Sequence, residues 1–167
     1  EMLVAFLLCK IVGGDLIRIN IVEEYFVIRT IKDNEKHLIN DDPIRPHISF
    51  DDRMGQGRNV LVLEQDGEVG AVVCTALVDQ MPTNEEELFK FANPQGGVVV
   101  PYTVWSYKKG CGRIIINQLR ESALEEHCFQ LVTLSPKTDM AEKFHISNGA
   151  KCVSRNESSN NFEYSLV

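Results

Sequence analysis

Two glycines one residue apart, Gly110 and Gly112, lie among Lys108, Lys109 and Arg113 in a chain whose net charge is −7. Glycine lets a backbone approach a ligand closely, and the start of a helix presents unpaired N–H groups and a dipole that favours an anion. The chemistry suited to this pattern is the holding of a phosphate-bearing ligand. The elements that would position it flank it directly. Val98, Val99, Val100, Thr103 and Val104 form a β-branched run that reads as a buried strand. Beyond the glycines, Ile115, Ile116, Leu119, Ala123 and Leu124 recur at helical spacing over 114–126.

Spacing separates the glycine loops that could be meant. A nucleotide P-loop needs Gly-x-x-x-x-Gly-Lys-Ser/Thr, which Gly110-Cys111-Gly112-Arg113 does not supply. The dinucleotide fingerprint Gly-x-Gly-x-x-Gly begins correctly but has Ile115 at its third glycine. The following strand runs into Ser135-Pro136-Lys137 rather than an acidic residue for a ribose. A dinucleotide oxidoreductase is therefore a weak alternative.

The stretch Tyr107-Lys108-Lys109-Gly110-Cys111-Gly112 resembles the acyl-CoA loop of the GNAT (GCN5-related N-acetyltransferase) superfamily, Gln/Arg-x-x-Gly-x-Gly/Ala, with tyrosine in the first position. A second signature of that superfamily, Asn-x-x-Ala-x-x-Phe/Leu-Tyr followed by glycine, is similar to Thr138-Asp139-Met140-Ala141-Glu142-Lys143-Phe144-His145 with Gly149-Ala150. Here threonine replaces the asparagine, histidine the tyrosine, and Ala150 the usual phenylalanine. The resemblance covers 24–167 and is also to divergent acetyltransferase-like proteins of marine bacteriophages.

The resemblance implies a mixed α/β sheet with helices on both faces and acetyl transfer from acetyl-CoA to a primary amine by direct attack, with no metal. It implies that Lys108, Lys109, Gly110, Cys111, Gly112 and Arg113 hold the pyrophosphate. Backbone groups of Val104, Trp105 and Ser106 would pair with the pantetheine arm, and Thr138 of the second signature would also bind the cofactor. His145 falls where the superfamily often has its acid, and imidazole titrates near neutrality. No carboxylate lies in 98–106; Tyr102 is the ionisable side chain there, and a phenol of ordinary pKa about 10 is a poor base at neutral pH. Strand alternation puts Tyr102 and Trp105 on opposite faces. Asp42-Pro43-Ile44-Arg45-Pro46-His47 falls where this fold builds its acceptor site, and Arg45 and His47 are the expected contacts to substrate. A GNAT-fold module that binds CoA or a protein partner without turnover is the competing expectation.

The rest of the chain supplies a frame in the order β-α-β-β-(α)-β-α-β-α-β-β. Strands are expected over 25–31, 59–64 and 68–77, the last two flanking the hairpin turn Asp66-Gly67. A helical, proline-broken segment follows the first strand, and Thr83-Asn84-Glu85-Glu86 reads as a capping box. The final elements are a strand over 128–134, a helix over 138–147, and strands over 150–154 and 162–166.

With 167 residues and 44% apolar content, one domain with a sizeable core is expected. The acidic balance argues against broad nucleic-acid binding. Five cysteines without a Cys-x-x-Cys pair suit a reducing cytoplasm and neither zinc nor disulfides. The apolar stretch at 2–9 is too short to span a membrane, and 1–23 reads as a hairpin or short helix that packs on the domain or forms a homodimer contact.

Overall fold

A computed structural model of the chain describes residues 26–166. The hairpin or helix expected over 1–23, and the start of the first strand at Tyr25, lie outside these residues. A seven-stranded mixed sheet has the spatial order β1-β2-β3-β4-β5-β7-β6. Its strands are β1 (Phe26–Thr30), β2 (Arg58–Gln65), β3 (Glu68–Val78), β4 (Val98–Ser106), β5 (Gln130–Val132), β6 (Lys151–Arg155) and β7 (Asn160–Tyr164). The helices are α1 (Glu85–Lys90), α2 (Cys111–Glu125) and α3 (Asp139–Ser147), with 3₁₀ helices at Asp33–Asp41 and Asp51–Arg53. The element order read from the sequence is the one observed.

Local chemistry accounts for the boundaries. Asp66 and Gly67 both take left-handed φ (52° and 82°), the conformation of a two-residue hairpin turn between β2 and β3. The cap of α1 is one residue later than expected: the Asn84 side chain accepts the Glu87 amide at 2.8 Å, while the Thr83 hydroxyl donates to the Glu87 carboxylate. Helix α2 starts at Cys111 rather than Ile114. Gly110 sits at φ 85° as its N-cap, so Gly112 already lies in the first turn.

Alternation along the central strands divides the core into two layers. Val60, Val62, Val72, Cys74, Ala76 and Val100 face the 31–54 segment and α1. Leu63, Ala71, Val73 and Val99 face the α2 stripe of Cys111, Ile115, Ile116, Leu119 and Ala123. Leu124, expected in that stripe, is exposed.

Strand β4 breaks the alternation. Against β3, Thr103 pairs with Cys74 and Pro101 with Thr75, so Tyr102 is an extra residue in β4. Proline lacks an N–H for the ladder and in a central strand is confined to such irregularities. The bulge moves the side-chain pattern on by one residue, which corrects the expectation for Tyr102 and Trp105: both join the layer of Cys74 and Ala76.

Candidate functional site

Beyond the bulge, β4 has an open edge. It pairs in parallel with β5 only at Val98–Gln130 and Val99–Leu131. The chain after β5 then follows β7, where Ser135 and Asn160 exchange backbone hydrogen bonds at 2.9 Å. A cleft of about 350 Å³ opens between the separating strands. Its floor is Pro101–Ser106. Gly112 of α2 lies on one wall, Ser135, Pro136, Thr138, Met140, Ala141, Phe144 and His145 on another, and Pro43 and Ile44 at one end.

The glycine loop is held at the outer end of β4 by backbone. The Gly70 carbonyl accepts both the Tyr107 amide (2.8 Å) and the Lys108 amide (3.2 Å). A Cβ on Gly70 would stand 2.6 Å from the Cys111 sulfur, so a side chain there would require Cys111 to shift. Among the described residues, no acceptor takes the amide hydrogens of Lys109, Gly110, Gly112 or Arg113. These are the unpaired donors of a helix start, the kind of group that can hold an anion. Lys109 and Arg113 are exposed beside it. Lys108 is already paired with Glu68 at 2.6 Å. Tyr107, in the Gln/Arg position of the motif, donates its hydroxyl to Asp41 (2.6 Å) and accepts from Trp105 Nε1 (3.0 Å). Burial and the Asp41 acceptor push its pKa up to about 12.

The inner walls carry the residues expected to do chemistry. The Thr138 hydroxyl accepts the Ala141 amide at 3.2 Å and so serves as the N-cap of α3. His145 lines the cleft but is 6% exposed, its Nδ1 2.8 Å from the Tyr164 hydroxyl and its ring stacked on Phe162. Burial lowers its pKa to about 4, so the ring is neutral at physiological pH. The general-acid role expected of His145 would therefore rest on the N–H of a neutral imidazole. Tyr164 was not anticipated; its β-strand context gives no sign of the helix it meets. The Tyr102 hydroxyl is buried without a hydrogen-bond partner of ordinary geometry, beside the Cys74 thiol. Burial raises its pKa, which removes it as a base.

The 42–47 loop reaches the cleft with different residues from those expected. Pro43 and Ile44 line the end of the cleft, whereas Arg45 turns inward and is 6% exposed. Its guanidinium donates to the Tyr102 carbonyl, to Thr103 Oγ1 (3.3 Å) and to the Leu134 carbonyl (3.0 Å), with Glu85 3.4 Å from Nε. With those donors committed, Arg45 does not meet an acceptor's acidic group. His47 stands in solvent, its Nε2 2.7 Å from Glu85. Arg53, fully buried, was also unanticipated: it binds Asp42 (2.7 Å) and the carbonyls of Arg45 (2.6 Å) and Ile48 (3.1 Å).

Among the described residues no cluster of side chains could hold a metal ion, and no helix is long and apolar enough to cross a membrane. No protein-family model and no curated protein matches the sequence. The fold does have solved counterparts. The GphF GNAT-like decarboxylase, solved in complex with isobutyryl-CoA, is similar with a TM-score of 0.67 at 12% identity, over 84% of this chain and 100% of that one. The loading GNATL domain of CurA from Lyngbya majuscula gives 0.65 at 13%, over 85% and 98%. YncA of Salmonella typhimurium, a putative acetyltransferase solved with its cofactor acetyl-CoA, gives 0.54 at 16%, over 85% and 94%. The chain has the GNAT fold.

Proposed function

We propose that this chain is an acyl-CoA-dependent N-acyltransferase that transfers acetyl from acetyl-CoA to a primary amine, on a small molecule or a protein, by direct attack. The observation that carries this reading is the open β4 edge running directly into the unpaired amides of Lys109, Gly110, Gly112 and Arg113. The acyl-CoA ligands of two fold counterparts support it. The residues present fit such a ligand: donors for a pyrophosphate at the helix start, and a strand edge able to pair with an amide-bearing arm.

Acetyl-CoA supplies an activated thioester, whose acyl carbon the amine nitrogen attacks as the thiol leaves. The amides at the start of α2 hold the phosphates, and the Val104–Ser106 backbone aligns the arm and offers N–H donors near the developing oxyanion. Asp, Glu, Lys and Arg are all absent from the described cleft lining. With no ionised acid or base on that lining, water takes the proton that the amine loses and returns one to the departing thiolate. Neutral His145 accepts or donates a hydrogen bond at the cleft wall without carrying charge.

Calorimetric titration with acetyl-CoA, with CoA and NAD as comparators, tests the proposal. Micromolar binding of acetyl-CoA but not NAD, with acyl transfer to members of an amine panel, is expected. The lack of a charged acid or base in the cleft favours one second reading, a module that binds CoA without turnover; binding with no transfer to any amine would select it. Absence of binding from folded protein overturns both.

A further inference from the structure

The separation of β4 from β5 occurs at a definable place. Val98 lies opposite Gln130 and Val99 opposite Leu131, an offset of 32 residues. Tyr102 and Leu134 each lie three residues beyond the last of these pairs. These are the two residues whose carbonyls the Arg45 guanidinium joins. A side chain from a distant loop thus stands where ladder hydrogen bonds would otherwise run.

We propose that Arg45 is a positioning residue: a clip that spans the gap between β4 and β5, satisfies the carbonyls orphaned by their separation, and fixes the inner end of the cleft. The inference rests on the acyl-CoA reading for its effect on ligand binding, but not for its effect on the strands. A planar guanidinium can meet two carbonyls on different strands at once, which a lysine ammonium on a flexible stem does poorly. Burying such a charge is costly unless it is well partnered. Here it is partnered on every side: carbonyls from β4 and from the chain just after β5, the Thr103 hydroxyl, the Glu85 carboxylate and the Tyr102 ring, whose centroid is 5.9 Å away.

Arg45 is also anchored from behind. Asp42 Oδ1 accepts the Ile44 and Arg45 amides, each at 2.8 Å, while Oδ2 binds Arg53. Arg53 returns to the Arg45 carbonyl at 2.6 Å. The buried Asp42–Arg53 pair therefore sets the direction from which the guanidinium enters. The same turn presents Pro43 and Ile44 to the cleft, so the clip couples the strand gap to the loop at its end.

The test uses Arg45→Ala in the full chain, read by amide hydrogen exchange without ligand and by calorimetry with acetyl-CoA. Exchange is expected to rise at least tenfold in 100–106 and 130–135, with the β2–β3 hairpin unchanged, and the acetyl-CoA Kd to rise at least tenfold. Methylguanidinium at low millimolar concentration should reverse both effects by refilling the vacated position. If exchange rises uniformly through the sheet, or stays at wild-type rates in 100–106 and 130–135, Arg45 is not a clip and the proposal fails. If the wild type does not bind acetyl-CoA yet the local rise and its rescue occur, the clip stands and the acyltransferase reading falls. Should Arg45→Ala not fold, Arg45→Lys serves: a smaller local rise of the same pattern supports the clip, and wild-type exchange overturns it.

Discussion

The two ends of the cleft are built from different materials. At the outer end the open polar groups are backbone amides of Lys109, Gly110, Gly112 and Arg113, left unpaired at a helix start that Gly110 permits. At the inner end the walls are set by side chains drawn from far along the chain: Arg45 from the connection between β1 and β2, His145 from α3 and Tyr164 from β7. The outer end is the product of one contiguous segment. The inner end exists only after the sheet is assembled. Local damage should therefore be confined at the first end and propagate at the second.

Removal of the anchor beneath the inner end should have the largest effect. Asp42→Ala leaves the fully buried Arg53 without its carboxylate and frees the two amides of the Arg45 turn. A loss of about 4 kcal/mol is expected, in the range found when one partner of a buried pair is removed. Urea unfolding measures it; a loss below about 1 kcal/mol would show that the loop is held by packing alone. At the outer end, Gly112→Asp should act on binding and spare the fold. A Cβ there meets Phe144 at 3.6 Å and Ser106 at 3.8 Å, ordinary contacts, but the carboxylate would face the phosphates. Acetyl-CoA affinity should fall on the order of 100-fold, about 2.7 kcal/mol. Wild-type affinity in the folded variant would remove the helix start from the site.

The same contrast governs what could be read from the sequence. Asp66-Gly67, Gly110, and the apolar spacing of Ile115, Ile116 and Leu119 act over a few residues, and the elements they specify are observed. The bulge at Tyr102 depends on pairing with β3, though Pro101 inside a β-branched run was a visible signal of it. Arg45 lies between two prolines in a stretch that reads as a surface loop; its burial follows from Asp42 and Arg53, whose pairing spans eleven residues and has no periodicity. His145 was found by its place in a motif. Its neutrality was not, because Phe162 and Tyr164, which bury it, come from the last strand.

That neutrality gives the inner end a pH signature that the outer end lacks. Unfolded, His145 titrates near the ordinary value of about 6.5; folded, it does so near 4. Between those values the unfolded chain binds the proton and the folded chain does not. Its contribution to stability is thus complete above pH 6.5 and is lost as the pH falls toward 4. The loss between pH 6.5 and 5 should be about 1.5 kcal/mol. His145→Gln should flatten the dependence of the unfolding free energy on pH by that amount relative to wild type; parallel curves would mean that the ring is solvated.

Tyr164→Phe is the mildest probe and the most discriminating. It deletes only the hydroxyl 2.8 Å from His145 Nδ1 and keeps the ring that packs edge-on against the imidazole. The stability cost should be about 1 kcal/mol, the usual net worth of one hydrogen bond. What it tests is the tautomer. In wild type Nδ1 is hydrogen-bonded to the Tyr164 hydroxyl, which donates or accepts according to the ring's tautomer. Without that partner the balance of tautomers should shift, and nitrogen-15 chemical shifts of the ring should change with it. Under the acyltransferase reading, kcat should then fall severalfold while acetyl-CoA affinity, set by amides at the other end of the cleft, stays at the wild-type value. A fall in affinity with kcat unchanged would mean that the two ends are not independent, and that the comparison between them fails.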